Sequence, residues 1–179
     1  MIRRRFVLTF PLLAACSEAQ PVRKRHPAYS NQNLRRLERK LFDAVNQRRT
    51  QEGKAPLVWS DVLASEARRH SFAMMEGGFF GHRDPVRGDL ERRINESRTN
   101  ESEAKIVWRR LAENLHQQLG MREPILAAVE GWMKSAGHRK NILDATYTDS
   151  GIGMAVAEDG THYATQIFAL PIPKEETLR

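Results

Sequence analysis

The chain has one cysteine, Cys16, among 179 residues. That excludes an internal disulfide framework and any CxxC metal or redox site. No apolar run reaches the ~20 residues of a membrane-spanning helix, which excludes a polytopic membrane protein. The signatures HExxH, P-loop and GxGxxG after a strand are all missing. Ser65, Ser71 and Ser135 lack the context of a nucleophile elbow. Aromatic residues are only 7%, yet the 40% of hydrophobic residues are spread along the chain, so wholesale disorder is not expected. The length suits one compact domain. Lys and Arg exceed Asp and Glu by 29 to 22, a net charge of +7, which alone fits nucleic acid, anionic lipid or simple solubility.

The N-terminus accounts for part of that charge. Arg3, Arg4 and Arg5 precede a short apolar stretch interrupted by Pro11, and Leu13-Ala14-Ala15-Cys16 resembles a bacterial lipobox. Residues 1–15 therefore read as a lipoprotein signal peptide and Cys16 as the lipidation site. Arg3-Arg4-Arg5-Phe6-Val7 is also similar to a twin-arginine export signal. Cleavage before Cys16 takes 15 of 179 residues, leaving 164, and removes three arginines, lowering the charge from +7 to +4. An acylated Cys16 serves neither catalysis nor metal binding. The expected location is the cell envelope, with the lipid membrane as partner through Cys16 and no nucleic acid. Residues 16–30 read as a lipid-anchored tether, with Pro21 and Pro27 and no apolar periodicity. Within it Arg23-Lys24-Arg25 are either a contact for anionic headgroups or a solvated linker.

Residues 31–52 read as a helix, with Leu34, Leu37, Leu41 and Val45 on one face and Arg35, Arg36, Arg39 and Lys40 off it. Ser60 is the expected N-cap of a second helix over 61–75, with Leu63, Ala67, His70 and Met74 buried and Gly77-Gly78 as its stop. On that stripe His70 reads as a hydrogen-bonded core residue. A short helix is expected near 90–94, an exposed excursion over 95–105 and a strand near 111–117. Pro124 opens a third long helix with Ile125, Ala128, Val129, Trp132, Met133 and Ala136 at helical spacing, and Gly137 is its expected stop. Residues 151–156 and 163–170 flank Glu158-Asp159-Gly160, a hairpin signal. Gly151 and Gly153 inside such a run read as sites of close packing. Helices first and the hairpin last favour a layered α+β domain over 31–171, with a tail over 172–179.

Polar residues beside breaks in these patterns are the candidates for chemistry: His82 after a helix stop, Glu113-Asn114 in a moderately apolar segment, and His138 after the Trp132 helix. Two imidazoles and a carboxylate suit a borderline metal such as Zn²⁺. The separations of 31 and 25 residues do not by themselves bring the three together.

In order along the chain stand His70-Ser71, Gly78-Phe79-Phe80-Gly81-His82, Ala112-Glu113-Asn114-Leu115, then Trp132 through Leu143, Gly151-Ile152-Gly153, and Tyr163-Ala164-Thr165-Gln166-Ile167-Phe168. This series resembles the bacterial branch of the CAP superfamily, named for cysteine-rich secretory proteins, antigen 5 and pathogenesis-related 1 proteins. The resemblance covers about residues 33–169. It implies a three-layer α–β–α sandwich with a central antiparallel sheet and a cleft. Carried over position by position, it implies cleft residues His82, Glu113, His138, Asn114 and Ser135. His82 and His138 would be the metal ligands, for zinc above other divalent ions. Ser135 stands where many relatives carry a second acid, and Glu130 is no substitute because it faces elsewhere on the helix. His162-Tyr163-Ala164-Thr165-Gln166 is superficially like a eukaryotic motif but lies after Gly151-Ile152-Gly153. His162 is therefore expected on the solvent face of the hairpin.

The resemblance implies a recognition module that takes a divalent metal, a small apolar molecule, a lipid or an envelope component. One alternative is a metal-assisted hydrolase with Glu113 as general base. Another is a metal-free histidine network that only holds the layers together. Bound metal, turnover lost in Glu113→Gln and co-purifying lipid distinguish the three.

Overall fold

The computed structural model describes residues 22–100, 107–120 and 123–172, with the backbone alone over 97–100. The expected signal peptide, Cys16 and almost all of the expected C-terminal tail lie outside the described residues. Helix α1 (Asn31–Gln51) is capped by the Ser30 side chain, which accepts from the Asn33 N–H. Leu34, Leu41 and Val45 are buried, while Arg35, Arg36, Arg39 and Lys40 face water. Two charged residues join the buried face. Glu38 accepts from Arg68 Nε at 2.7 Å and from the Met154 N–H at 3.1 Å, and burial raises its pKa against those donors. Arg49 donates to the carbonyls of Ala55, Ile142 and Asp144, so one guanidinium satisfies the loop after α1 and carbonyls at 142–144, where a helix ends.

Strand β1 (Val58–Trp59) leads into α2 (Asp61–Gly77). Ser60 caps α2 by accepting from the Leu63 N–H, and Gly78, at φ 63°, ends it in the left-handed conformation. Then come α3 (Leu90–Asn100), β2 (Trp108–Leu119), α4 (Pro124–Lys134), α5 (Ala136–Leu143), β3 (Asp149–Val156) and β4 (Thr161–Pro171). The four strands form one sheet in the order β1-β3-β4-β2. β3, β4 and β2 are antiparallel neighbours, and the expected hairpin turns at Gly160.

The fold is the expected α+β sandwich, because side chains alternate across the sheet. Ile152, Met154, Val156, Ala164 and Phe168 pack with α1 and α4 on one face. Ile167 and Ala169 pack with Leu63 and Ala67 of α2 and Ile94 of α3 on the other. Gly151 and Gly153 bring α2 onto the sheet. A Cβ on Gly151 would stand 2.1 Å from the Ala64 nitrogen, and one on Gly153 2.0 Å from the Arg68 nitrogen. Helix backbone cannot yield to such an overlap, so only glycine fits.

Several expectations change. The sheet is mixed, not wholly antiparallel, because β1 pairs parallel to β3, Val58 opposite Asp149; two residues are too few to show a period. Gly137 is not the helix stop. The break falls at Ser135, whose extended backbone (φ −84°, ψ 121°) ends α4 and begins α5, and Gly137 lies in the first turn of α5. Helix α3 runs beyond 94 into the expected excursion, and residues 101–106 lie outside the described residues.

Of the expected tether, the described part is docked on the hairpin. The His26 N–H donates to the Val156 carbonyl and the Glu158 N–H to the Lys24 carbonyl, both at 2.8 Å. Arg23 pairs with Asp159, and the Arg25 guanidinium lies 4.3 Å over the Phe72 ring. His162 is consequently buried rather than on a solvent face. Tyr29 folds over it, with its hydroxyl 3.3 Å from His162 Nε2.

Gly153→Ala is expected to cost about 2–3 kcal/mol through overpacking, read as a lowered urea midpoint. An alanine that leaves the midpoint unchanged contradicts this helix–sheet contact.

Candidate functional site

Strand β2 lies at the edge of the sheet and supplies both sides of the site. Because consecutive residues point to opposite faces, Glu113 faces α2 and α3 while Asn114 faces α4 and α5. Both are buried. Loop 79–88 delivers His82 from the first side. Asp84 ties this loop by accepting from the N–H groups of Val86 and Arg87 and by pairing across to Gly88. Burial alone would raise the Asp84 pKa, but those N–H groups and the Arg87 charge bring it below its usual value.

Beneath the loop runs a chain of charges centred on buried Arg93, Glu66 and Glu113. Glu113 Oε1 accepts from Arg93 at 2.7 Å and Glu113 Oε2 stands 2.9 Å from His82 Nδ1. Arg93 also pairs with Glu66 at 3.3 Å and donates to the His82 carbonyl at 3.2 Å. Glu66 in turn accepts from Arg87 at 2.6 Å and pairs with Arg69 at 3.2 Å. The side chains of Arg93 and Glu66 have no solvent exposure, whereas that of His82 is 62% exposed. A neutral His82 donates Nδ1–H to Glu113 and keeps Nε2 as an acceptor. The carboxylate orients a histidine that faces outward.

His138 sits in the first turn of α5, on the other side of the edge strand. Asn114 Nδ2 donates to the His138 carbonyl at 3.0 Å, and Asn141 Nδ2 donates to Asn114 Oδ1 at 2.9 Å. Trp132 is core and its indole N–H donates to the Leu115 carbonyl at 2.9 Å. Burial, and then the charge of nearby His82, lower the His138 pKa. Ser135 is the hinge residue that turns the chain toward His138. Arg139 does not reach this network; it pairs with Glu52 at 2.9 Å. His70 is core, with Nε2 3.0 Å from the Gly81 carbonyl and 3.8 Å from Glu113 Oε2.

Arg93 and Glu66 escaped the sequence reading, since Arg92-Arg93 looks like ordinary helix surface. Leu90 and Ile94 give the inward face of α3, and Arg93, three residues after Leu90, falls on it.

Among the described residues no group of three His, Cys, Asp or Glu is placed to hold an ion. His82 and His138 offer two imidazoles, and both oxygens of Glu113 are engaged by Arg93 and His82.

Helices on both faces of a mixed four-stranded sheet, with histidines flanking one edge, define an SCP-type sandwich. The family model CAP, the cysteine-rich secretory protein family, matches residues 42–168, and the chain belongs to that family. It is 34% identical over 117 residues to the uncharacterized membrane protein YlbC of Bacillus subtilis (strain 168), covering 65% of this chain and 31% of that one. It is 30% identical over 132 residues to the uncharacterized protein YkwD of the same organism, covering 72% and 46% respectively. An extracellular protein containing an SCP domain from Bacillus anthracis str. Ames has a similar structure. The TM-score is 0.65 at 29% identity, over 80% of this chain and 43% of that one. An outer surface protein of Borrelia burgdorferi shares the fold, with TM-score 0.65 at 14% identity over 76% of this chain and 94% of that one. The chain spans about a third to a half of the length of the two Bacillus subtilis relatives.

Removing Arg93 leaves two buried carboxylates without their shared cation. Arg93→Met is expected to cost about 3–5 kcal/mol, read by urea unfolding, and a cost below about 1 kcal/mol would contradict the burial described. Burial also lowers the pKa values of His70, His116, His138 and His162 from 6.5. Their contribution to stability is complete above 6.5 and is lost as pH falls below it, because the unfolded chain then binds more protons. Unfolding midpoints should drop between pH 7.5 and pH 5.5, with a shallower drop in His70→Gln.

Proposed function

We propose that this protein is an exported, lipid-anchored recognition module of the cell envelope, and that its edge site binds an apolar small molecule, a lipid or an envelope fragment. The observation that carries this reading is the engagement of Glu113. Both its oxygens already accept from protein donors, so the carboxylate holds His82 in place. A hydrolase would need that carboxylate free to take a proton from water. The second acid that could share the task is replaced by Ser135, a backbone hinge. The two imidazoles leave a divalent ion only a weak contact completed by water.

Around His82 the loop presents apolar surface. Phe80 is 49% and Val86 83% exposed, beside a histidine with hydrogen-bonding capacity. A ligand with an apolar body and a polar head matches that pairing. Export is supported by the N-terminal basic-apolar-lipobox series, by a relative described as extracellular and by one described as a membrane protein. Among the described residues no helix is long and apolar enough to cross a membrane, so attachment would fall to Cys16.

The test compares the chain purified from its own membranes with His82→Ala. Native mass spectrometry is expected to show co-purifying lipid or envelope fragment that diminishes in the variant, and no stoichiometric zinc after dialysis. Casein and cell-wall substrates are expected to remain intact with or without added zinc. Turnover that disappears in Glu113→Gln would replace this reading with the hydrolase.

A further inference from the structure

Helix α1 carries an exposed basic face. Arg35, Arg36, Arg39 and Lys40 are all exposed, and at 100° per residue they lie on the side of the helix opposite Leu34, Leu41 and Val45. The first turn of α1 contains no acid. Glu38 is buried against Arg68, and the exposed Asp43, one turn beyond Arg39 on the same side, offsets only one of these charges. Arg39 lies 3.8 Å over the Trp59 ring and 3.5 Å from Asp61, and Arg36 donates to Asn33. The remaining charge faces solvent along the helix's N-terminal half.

The position of this face along the chain matters as much as its charge. Six residue steps carry the chain from Cys16 to Val22, where the described fold begins. Fully extended they span at most about 20 Å. From Val22 the chain is fixed to the hairpin, and Arg25 Nη1 donates to Asn31 Oδ1, at the first residue of α1. An acyl chain on Cys16 would therefore hold the start of α1 close to a bilayer surface. We propose that the face formed by Arg35, Arg36, Arg39 and Lys40 docks on anionic phospholipid headgroups and orients the domain on its membrane. The inference rests on acylation of Cys16. It differs from a role for Arg23 and Arg25, whose guanidinium groups are taken up by Asp159 and Phe72.

The test uses the full acylated chain in vesicles of phosphatidylcholine, with and without phosphatidylglycerol. A fluorophore is placed on Gln32→Cys, on the basic face, or on Glu91→Cys, on the opposite layer, and quenched with acrylamide. Shielding of position 32 but not 91 is expected only in phosphatidylglycerol vesicles, and it should vanish at high salt. The combined Arg35→Gln, Arg36→Gln and Lys40→Gln variant removes three charges. At about fivefold per charge its docking should weaken about a hundredfold, with an unchanged melting temperature because all three sites are exposed. Equal quenching in both vesicles, or shielding that survives in the variant, overturns the proposal. So does preference for a soluble anionic wall polymer over phosphatidylglycerol vesicles. The mass of the same preparation reports on acylation separately. If Cys16 carries no lipid the anchoring reading fails, and co-sedimentation of that chain with phosphatidylglycerol vesicles, lost in the triple variant, would still uphold the surface.

Discussion

Arg93 lies between Glu66 and Glu113 with no access to water, and a buried guanidinium is tolerable only where carboxylates and carbonyls surround it. Each of its partners comes from a different part of the chain. Glu66 belongs to α2, Glu113 to the edge strand and the His82 carbonyl to loop 79–88. The ion network therefore ties α3 to α2, to the edge strand and to loop 79–88, beside the apolar contacts of Ile94, Leu63 and Leu111. Arg87 extends it to the loop's far side through Glu66. The orientation of His82 follows from this arrangement, because the carboxylate that faces its ring is itself fixed by Arg93.

The edge strand owes its integrity to similar bonds from the other layer. An unpaired strand edge is open to pairing with another chain. Here the Leu115 carbonyl is taken by the Trp132 indole, and the Glu113 carbonyl lies 3.5 Å from Asn141 Nδ2. Helices α4 and α5 thus cover the edge and, in doing so, carry His138 to it. The break at Ser135 makes this possible, since one straight helix could not both pack Trp132 into the core and run along β2.

Much of this fold was legible in the sequence wherever a period or a turn signal was long enough to be read. The stripes of α1 and α2, the Ser60 cap and the Asp159-Gly160 hairpin all belong to that class. The buried charges do not. Glu38, Arg49 and Arg93 occupy positions where local chemistry says surface, and only distant partners such as Met154, Ile142 and Glu113 account for them. His162 was misplaced for the same reason, since Tyr29 covers it from 133 residues away. At the site, Glu113 and the two histidines were visible as polar residues beside pattern breaks. Their placement around one edge depends on strand pairing and on the Ser135 turn, neither of which leaves a local mark.

The docked segment before α1 has a mechanical meaning. A load applied through the N-terminus enters the domain at Val22 and meets first the short bonds of Lys24 and His26 to the hairpin. These bonds are loaded one after another, in the manner of a zipper. The sheet itself, where β4 holds β2 and β3 along their whole lengths, resists as a set of bonds strained together. Pulling would therefore strip the leading segment and uncover His162 while the site around Glu113 stays assembled, so the segment behaves as a mechanical fuse in front of the core.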